Sequence, residues 1–254
     1  MADARAYVGT SGWNYKHWRN LIYPPRFAQK RWLGFTAERF DTVEVNTSFY
    51  RIPKQETIAC WQDSTPSHFK FAMKLWRGIT HYKKLVNAPE FTRRFLDVID
   101  VLEPDRRAPL LIQLPPNQGK DIAKLDNYLA ELNTLFTVPW EVAVEFRNNA
   151  WLTPDVYQTL DKHRAALCLH DMQGKAAVEH ANDAPFVYIR RHGTAAGSYA
   201  GSYSEEQLAA DAARVRAWNR EGKPVYIYYN NDIGGHAFWN AEKLKQLLLG
   251  NLGQ

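Results

Sequence analysis

The chain has 254 residues, 45% apolar and 23% charged, with 13 Pro and 14 Gly, which excludes a disordered or collagen-like chain and suits one (β/α)8 barrel of about 250 residues. Only two cysteines occur, Cys60 and Cys168, without zinc spacing, which argues against a disulfide framework and for a reducing cytoplasm. Net charge is +5, but residues 1–127 hold 20 Lys and Arg against 13 Asp and Glu, and residues 128–254 hold 12 against 14.

In chain order, runs of β-branched and aromatic residues predict strands at 6–10, 42–46, 69–75, 109–114, 141–147, 165–170, 186–192 and 224–230. Helical periodicity fills 29–40, 54–62, 89–102, 122–136, 154–163, 204–221 and 237–249. Asp121, Thr153-Pro154 and Ser204-Glu205-Glu206 read as helix starts. The connection 171–185 lacks a helical pattern. Strands separated by helices pair in parallel through right-handed crossovers, so the expectation is a closed eight-stranded barrel. No composition break divides residues 1–254 into further domains. MADARAYV lacks the apolar segment of a signal peptide, and no apolar run approaches the roughly 18 residues of a membrane span. The expected protein is soluble, cytoplasmic and without a membrane partner.

Parallel strands covered on both faces normally read as continuous apolar runs. These alternate instead. Phe69, Phe71, Met73 and Leu75 share one face while Lys70, Ala72 and Lys74 share the other; Val142, Val144 and Phe146 oppose Ala143, Glu145 and Arg147. The apolar face must meet the helices, so the other lines the interior. The lining expected near the C-terminal strand ends is Glu44, Asn46, Lys74, Gln113, Glu145, Arg147, His170, Arg190, His192, Tyr228, Asn230 and Asp232. Active sites of this fold sit at that end. A plug of mutually satisfied ion pairs is the competing reading, but such pairs stabilise little relative to apolar packing.

GTSGWNYKHW at 9–18 followed by YPP, and VEVNTSFYRIP at 43–53, resemble the YecE-like family, catalogued as a domain of unknown function. FKFAMK, ITH, QLPP, VEFRNNAW, YIRRHG and YYNNDIGGHA resemble its later blocks in the same order. The resemblance spans essentially the whole chain and implies a (β/α)8 barrel with no settled reaction. QLPPNQ departs from the family pattern, which carries an aromatic after the prolines.

Several constellations stand out. Residues 13–32 interleave Trp13, Tyr15, Trp18, Tyr23, Phe27 and Trp32 with Lys16, Arg19, Arg26, Lys30 and Arg31. That is either a stacking surface for single-stranded nucleic acid or a long loop capping the barrel, with Trp13 and Tyr15 as a pocket wall. Gly234 and Gly235 at a helix start, beside Arg190, His192 and Gly193, form a candidate phosphate site, or else an ordinary turn. The stretch Gly193 to Tyr203 has the small residues of a lid. His81, Glu145, His170, Asp171, His192, Asp232 and His236 offer metal-ligand types, but without local spacing, and Lys74, Arg147 and Arg190 would repel a cation. No metal or other cofactor is therefore expected, a divalent ion being the minor alternative. Cys168 reads as core, and Lys74 as a Schiff-base candidate on position alone.

The favoured reading is an enzyme of unassigned class acting on a small anionic, phosphorylated or carboxylated metabolite. Lys74, Arg147 and Arg190 would bind the anion, and Glu145 would be the acid/base, with Glu44 or His170 as partner. The alternative is a nucleic-acid-binding protein or metal-assisted phosphodiesterase. The sequence leaves the oligomeric state open.

Overall fold

The computed structural model describes residues 5–172, 178, 180–195 and 199–250. Eight parallel strands follow the predicted positions: β1 Ala6–Thr10, β2 Thr42–Val45, β3 Lys70–Met73, β4 Leu110–Gln113, β5 Val142–Glu145, β6 Ala166–His170, β7 Val187–Arg191 and β8 Val225–Tyr229. Their order is β3-β2-β1-β8-β7-β6-β5-β4. Leu75 N donates to Leu111 O (2.9 Å) and Ala108 N to Phe71 O (3.0 Å), which joins β3 to β4 and closes the barrel. The expected closed (β/α)8 barrel is the fold observed.

Around it run α1 Trp32–Ala37, α2 Thr47–Tyr50, α3 Gln55–Asp63, α4 Pro89–Ile99, α5 Ile122–Leu135, α6 Pro154–Lys162, α7 Glu205–Arg220 and α8 His236–Leu249. The starts have local causes. Asp121 accepts from Lys124 N (3.0 Å) at α5, Pro89 and Pro154 open α4 and α6, and Ser204 and Gln207 form a reciprocal capping box at α7. The helix expected over 29–40 is instead a short turn at Gln29–Arg31 followed by the six-residue α1. The helical turns at Thr47–Tyr50 and Gly78–Tyr82 have no counterpart in the sequence reading. Between β6 and β7, residues 173–177 and 179 lie outside the described residues, as do 196–198 of the lid candidate. In the described part, Asn182 clamps the start of β6. Its amide donates to Asp161 (2.7 Å) and to Ala165 O (2.9 Å), and its oxygen accepts from Leu167 N (2.7 Å).

The alternation divides two cores. Val43, Val45, Phe71, Met73, Val142, Val144, Ile227 and Tyr229 pack outward against the helices. Ala72, Leu111, Ala143, Ala166, Cys168, Tyr188, Tyr226 and Tyr228 fill the barrel interior. Small residues on β3, β5 and β6 make room for the tyrosines of β7 and β8. Cys168 belongs to this interior layer and is fully buried. Tyr228 donates or accepts a hydrogen bond with Thr42 Oγ1 at 2.8 Å, below the charged layer.

Candidate functional site at the barrel mouth

Above the tyrosine layer the interior becomes ionic. The period of two that buries Tyr188 and Ala143 inward brings Arg190 and Glu145 inward one step further on. Arg190 Nη1 donates to Glu145 Oε2 (2.6 Å), and Nη2 donates to Glu44 Oε1 (2.7 Å) and Ser11 Oγ (3.1 Å). Glu44 also accepts from Tyr188 OH (2.7 Å) and from Ser11 Oγ. Arg147 Nε contacts Glu145 Oε1. Arg190, Glu44 and Glu145 are shut off from solvent. Burial alone would raise the Glu145 carboxyl, but Arg147 and Arg190 overturn that and hold it well below the usual carboxylate range. Burial would likewise weaken Arg190 as a cation, but the two glutamates raise it instead.

The histidines beside this cluster are neutral. His192 Nε2 faces Glu145 Oε1 at 3.4 Å while Nδ1 meets the Asn230 amide at 3.1 Å. Burial holds His192 well below its ordinary value, against the pull of Glu145. His170 Nε2 donates to Phe146 O (2.9 Å), and burial lowers this ring too. Gln113 donates to Leu114 O (3.1 Å). Asn46 donates to Ser11 Oγ (2.6 Å) and Ser11 O (3.2 Å).

Lys74 differs from the other cations. It is buried, and its Nζ lies 4.3 Å from the Phe49 ring centroid. Among the described residues it has no ion-pair partner. Burial first, then the nearby Arg190, lower its amine to about 7, although Glu145 and Glu44 pull the other way. A lysine that titrates near neutrality can act as base, nucleophile or switchable cation. A carboxylate held as firmly ionised as Glu145 is a weak base and a poor proton donor at neutral pH.

A cavity of about 690 Å³ opens above these groups. Asn46, Lys74, Arg190, Asn230 and Asp232 lie at its barrel end; Trp13, Tyr15, Tyr50 and Trp61 wall it; and Leu33, Thr57 and Cys60 extend it between α1 and α3. Trp13 meets Trp61 edge-on, with centroids 5.5 Å apart. Gly12 adopts φ +105°, and a Cβ there would lie 2.9 Å from the Tyr15 hydroxyl. Tyr15 in turn donates to Ser11 O, the residue that holds Glu44 and Asn46. Asp232 is raised by burial, and His17 Nε2 approaches its carboxylate at 3.4 Å.

The structure thus brings Glu44, Asn46, Lys74, Glu145, Arg147, Arg190, His192 and Asn230 together at the C-terminal end of the strands. Asn46, Lys74, Arg190, Asn230, Asp232, Trp13 and Tyr15 reach the cavity, whereas Glu44, Gln113, Glu145, His170 and Tyr228 stay outside its lining. The glycines are not brought to it. Gly193 N donates to Tyr203 OH (2.7 Å) and Gly235 N to Asp232 O (3.0 Å). A Cβ on Gly235 would meet Leu21 and Ile22. In the 13–32 segment Trp18, Tyr23 and Trp32 are buried, with Tyr23 stacked on Trp32 at 4.4 Å and Trp18 packed on Phe238 of α8. No group of three His, Cys, Asp or Glu positioned for a metal ion occurs among the described residues. No helix among them is long and apolar enough to cross a membrane.

Sequence reasoning missed Ser11, Tyr188, Phe49 and the α3 wall. Ser11 and Tyr188 continue the inward parity of Gly9 and Arg190, so alternation would have found them. Phe49 and Trp61 carry no signal, because a four-residue turn and a crossover helix aim them.

These features define a (β/α)8 barrel with a charged floor and an aromatic-walled mouth. The sequence profile of the family described as "Protein of unknown function DUF72" matches residues 7–252, and the chain belongs to that family. It is 25% identical over 273 residues to UPF0759 protein YunF of Bacillus subtilis, spanning 95% of this chain and 94% of that one. Against UPF0759 protein YecE of Escherichia coli K12 it is 28% identical over 137 residues, 54% of this chain and 47% of the other. A DUF72 family crystal structure from Thermotoga maritima superimposes with a TM-score of 0.83 at 28% identity, over 96% of this chain and 99% of that one. The YecE-like resemblance is thereby borne out.

Proposed function

We propose that the barrel mouth binds a small organic anion, with Lys74 as the cation that receives it and as the group that exchanges a proton there. The observation that carries this is the charge balance. Two arginines face two glutamates, and Lys74 is left over at the foot of the cavity. A buried cation without a counter-ion is costly, and an anionic ligand would offset that cost. The aromatic walls fit the organic part of such a ligand, because pockets of this size bind mainly through apolar contact with few polar groups. Glu44, Glu145, Arg147 and Arg190 then form the rigid frame that sets the potential around Lys74. Chemistry in this site would be proton transfer or nucleophilic addition by the lysine.

Titration calorimetry with a panel of small carboxylates and phosphate esters tests the reading. At least one should bind, and Lys74→Met should weaken it about ten- to a hundredfold, since a charged hydrogen bond contributes roughly 1.5–3 kcal/mol. Equal binding by Lys74→Met removes the proposal.

A further inference from the structure

We propose that Lys74 is a Schiff-base lysine, whose Nζ condenses with the carbonyl carbon of a small 2-oxo acid bound in the mouth. This rests on the mouth being an anion site and narrows the anion to one bearing a ketone beside its carboxylate.

The geometry carries the inference in three parts. First, the amine is free. Nucleophilic addition needs an unshared electron pair on nitrogen, and a lysine locked in an ion pair keeps its proton. Lys74 has no carboxylate partner among the described residues, and its Nζ lies over the Phe49 ring. Second, the backbone that carries the amine is held. Lys74 N donates to Ser48 Oγ (3.2 Å), and that hydroxyl lies 2.7 Å from both Lys74 O and Val45 O. This ties the end of β3 to the end of β2, so the lysine leaves a rigid element. Third, the neighbours suit the substrate. Arg190, whose Nε has no hydrogen-bond partner among the described residues, lines the same cavity as Asn46 and Asn230, so N–H groups stand near the amine for a carboxylate. Burial, with Arg190 nearby, brings the amine to about 7, so about half of it is unprotonated at neutral pH.

The step balances without an outside oxidant or reductant. The nitrogen electron pair adds to the carbonyl carbon, one N–H proton passes to the carbonyl oxygen, and a carbinolamine forms. Protonation of its hydroxyl lets water leave with the C–O electrons, giving the iminium ion. The proton comes from solvent in the open cavity, which Asp232, raised by burial, also lines. An iminium carbon draws electrons from the adjacent C–C or C–H bond, so the reaction class served is formation or cleavage of a bond next to the carbonyl.

The test uses the full chain with pyruvate as the probe, borohydride reduction, intact mass spectrometry and peptide mapping. We expect one reduced adduct per chain, on the peptide containing Lys74, and none there in Lys74→Arg, which keeps the charge but cannot form the imine. Calorimetry with pyruvate runs in parallel. Pyruvate binding to both wild type and Lys74→Arg, with no adduct in either, overturns the imine and leaves the anion site standing. Absence of both binding and adduct, in a wild-type chain that binds other carboxylates, overturns the 2-oxo acid. Adducts scattered over surface lysines, equal in wild type and Lys74→Arg, overturn the assignment to Lys74. A melting curve for Lys74→Arg matching wild type certifies the fold, and Lys74→Gln repeats the adduct comparison where it does not.

Discussion

Lys74 Nζ lies 4.3 Å from the centroid of the Phe49 ring, and the same ring meets His81 edge-on with centroids 4.9 Å apart. An aromatic face attracts an ammonium, by up to about 2 kcal/mol where water is excluded. It does not replace the lost hydration, and Arg190 adds repulsion, so the amine titrates near 7. His81 responds to the same neighbourhood. Burial, then Lys74, lowers it to about 4, so it is neutral wherever the lysine titrates.

That depression makes stability depend on pH in a defined direction. In the unfolded chain the amine keeps its proton up to about 10.4, whereas in the fold it loses it near 7. Between those values the unfolded state binds more protons, so this group adds stability as pH rises, and its cost is greatest below 7. Lys74→Met lacks the effect. We expect the variant to be more stable than wild type at pH 6, on the order of a few kcal/mol, with the margin shrinking by pH 10. Urea melts of both proteins at pH 6, 8 and 10 measure the difference, in which other titrating groups cancel. A margin that does not change with pH contradicts a depressed lysine.

Glu145 gives the opposite prediction, because it is a partner and not an orphan. Glu145→Gln leaves Arg147 without its carboxylate and Arg190 with Glu44 alone, so two buried cations share one buried anion. Breaking a buried pair typically costs about 3–5 kcal/mol, and we expect a loss of that order at pH 7. The same change removes a charge that raises Lys74, so the lysine should titrate still lower. A melting temperature within experimental error of wild type would reassign Glu145 from frame to a hydrated, functional position.

The floor of the mouth was legible because strands broadcast their geometry. Lys70, Ala72 and Lys74 against Phe71 and Met73 give the inward face directly, and Glu145, Arg147, Arg190 and His192 follow by the same count of two. Which charge would pair with which was not legible. That depends on strand stagger around a closed barrel, which brings Glu44 of β2 to Arg190 of β7. The use of the glycine pair was not legible for a related reason. Gly234 and Gly235 do adopt positive φ at a helix start, but turning the chain into α8 uses Gly235 N internally and packs that residue against the first loop. The groove wall from Thr57, Cys60 and Trp61 was invisible, since an amphipathic helix does not state which neighbour its remaining face will overlook.

Gly12 offers a test of the wall apart from the charges. Its φ of +105° is a conformation that L side chains rarely adopt, and an added Cβ would crowd the Tyr15 hydroxyl at 2.9 Å. Gly12→Ala should therefore cost about 1–3 kcal/mol of stability. It should also move Tyr15 off Ser11, loosening the residue that orients Glu44 and Asn46. We expect binding of an anion to weaken while the lysine's titration, measured by the pH dependence of stability, stays near 7. Unchanged affinity in Gly12→Ala would show that Tyr15 takes no part in the mouth.

Proton uptake on binding is the sharpest consequence of an uncompensated lysine. Near pH 7.5 the free mouth holds Lys74 largely unprotonated, because its amine titrates at about 7. An anion seated beside it favours the ammonium form, so binding should draw a fraction of a proton from the buffer. Apart from Asp232, which burial raises, the other ionisable groups at the floor are poorly placed to supply this signal. Glu145 stays ionised well below neutrality, His192 and His170 are lowered by burial, and Arg190 is raised by its two glutamates. Calorimetry in buffers of different ionisation enthalpy reads the uptake directly, as the slope of apparent enthalpy against buffer enthalpy. We expect uptake at pH 7.5, a smaller value at pH 6 where the lysine is already charged, and none in Lys74→Arg at either pH. The variant should keep most of the affinity, because a permanent cation satisfies the anion without taking a proton. Equal uptake in Lys74→Arg would place the titrating group elsewhere, His81 being the first to examine by substitution. A wild-type slope of zero at pH 7.5 with firm binding would mean that the ligand does not meet the amine.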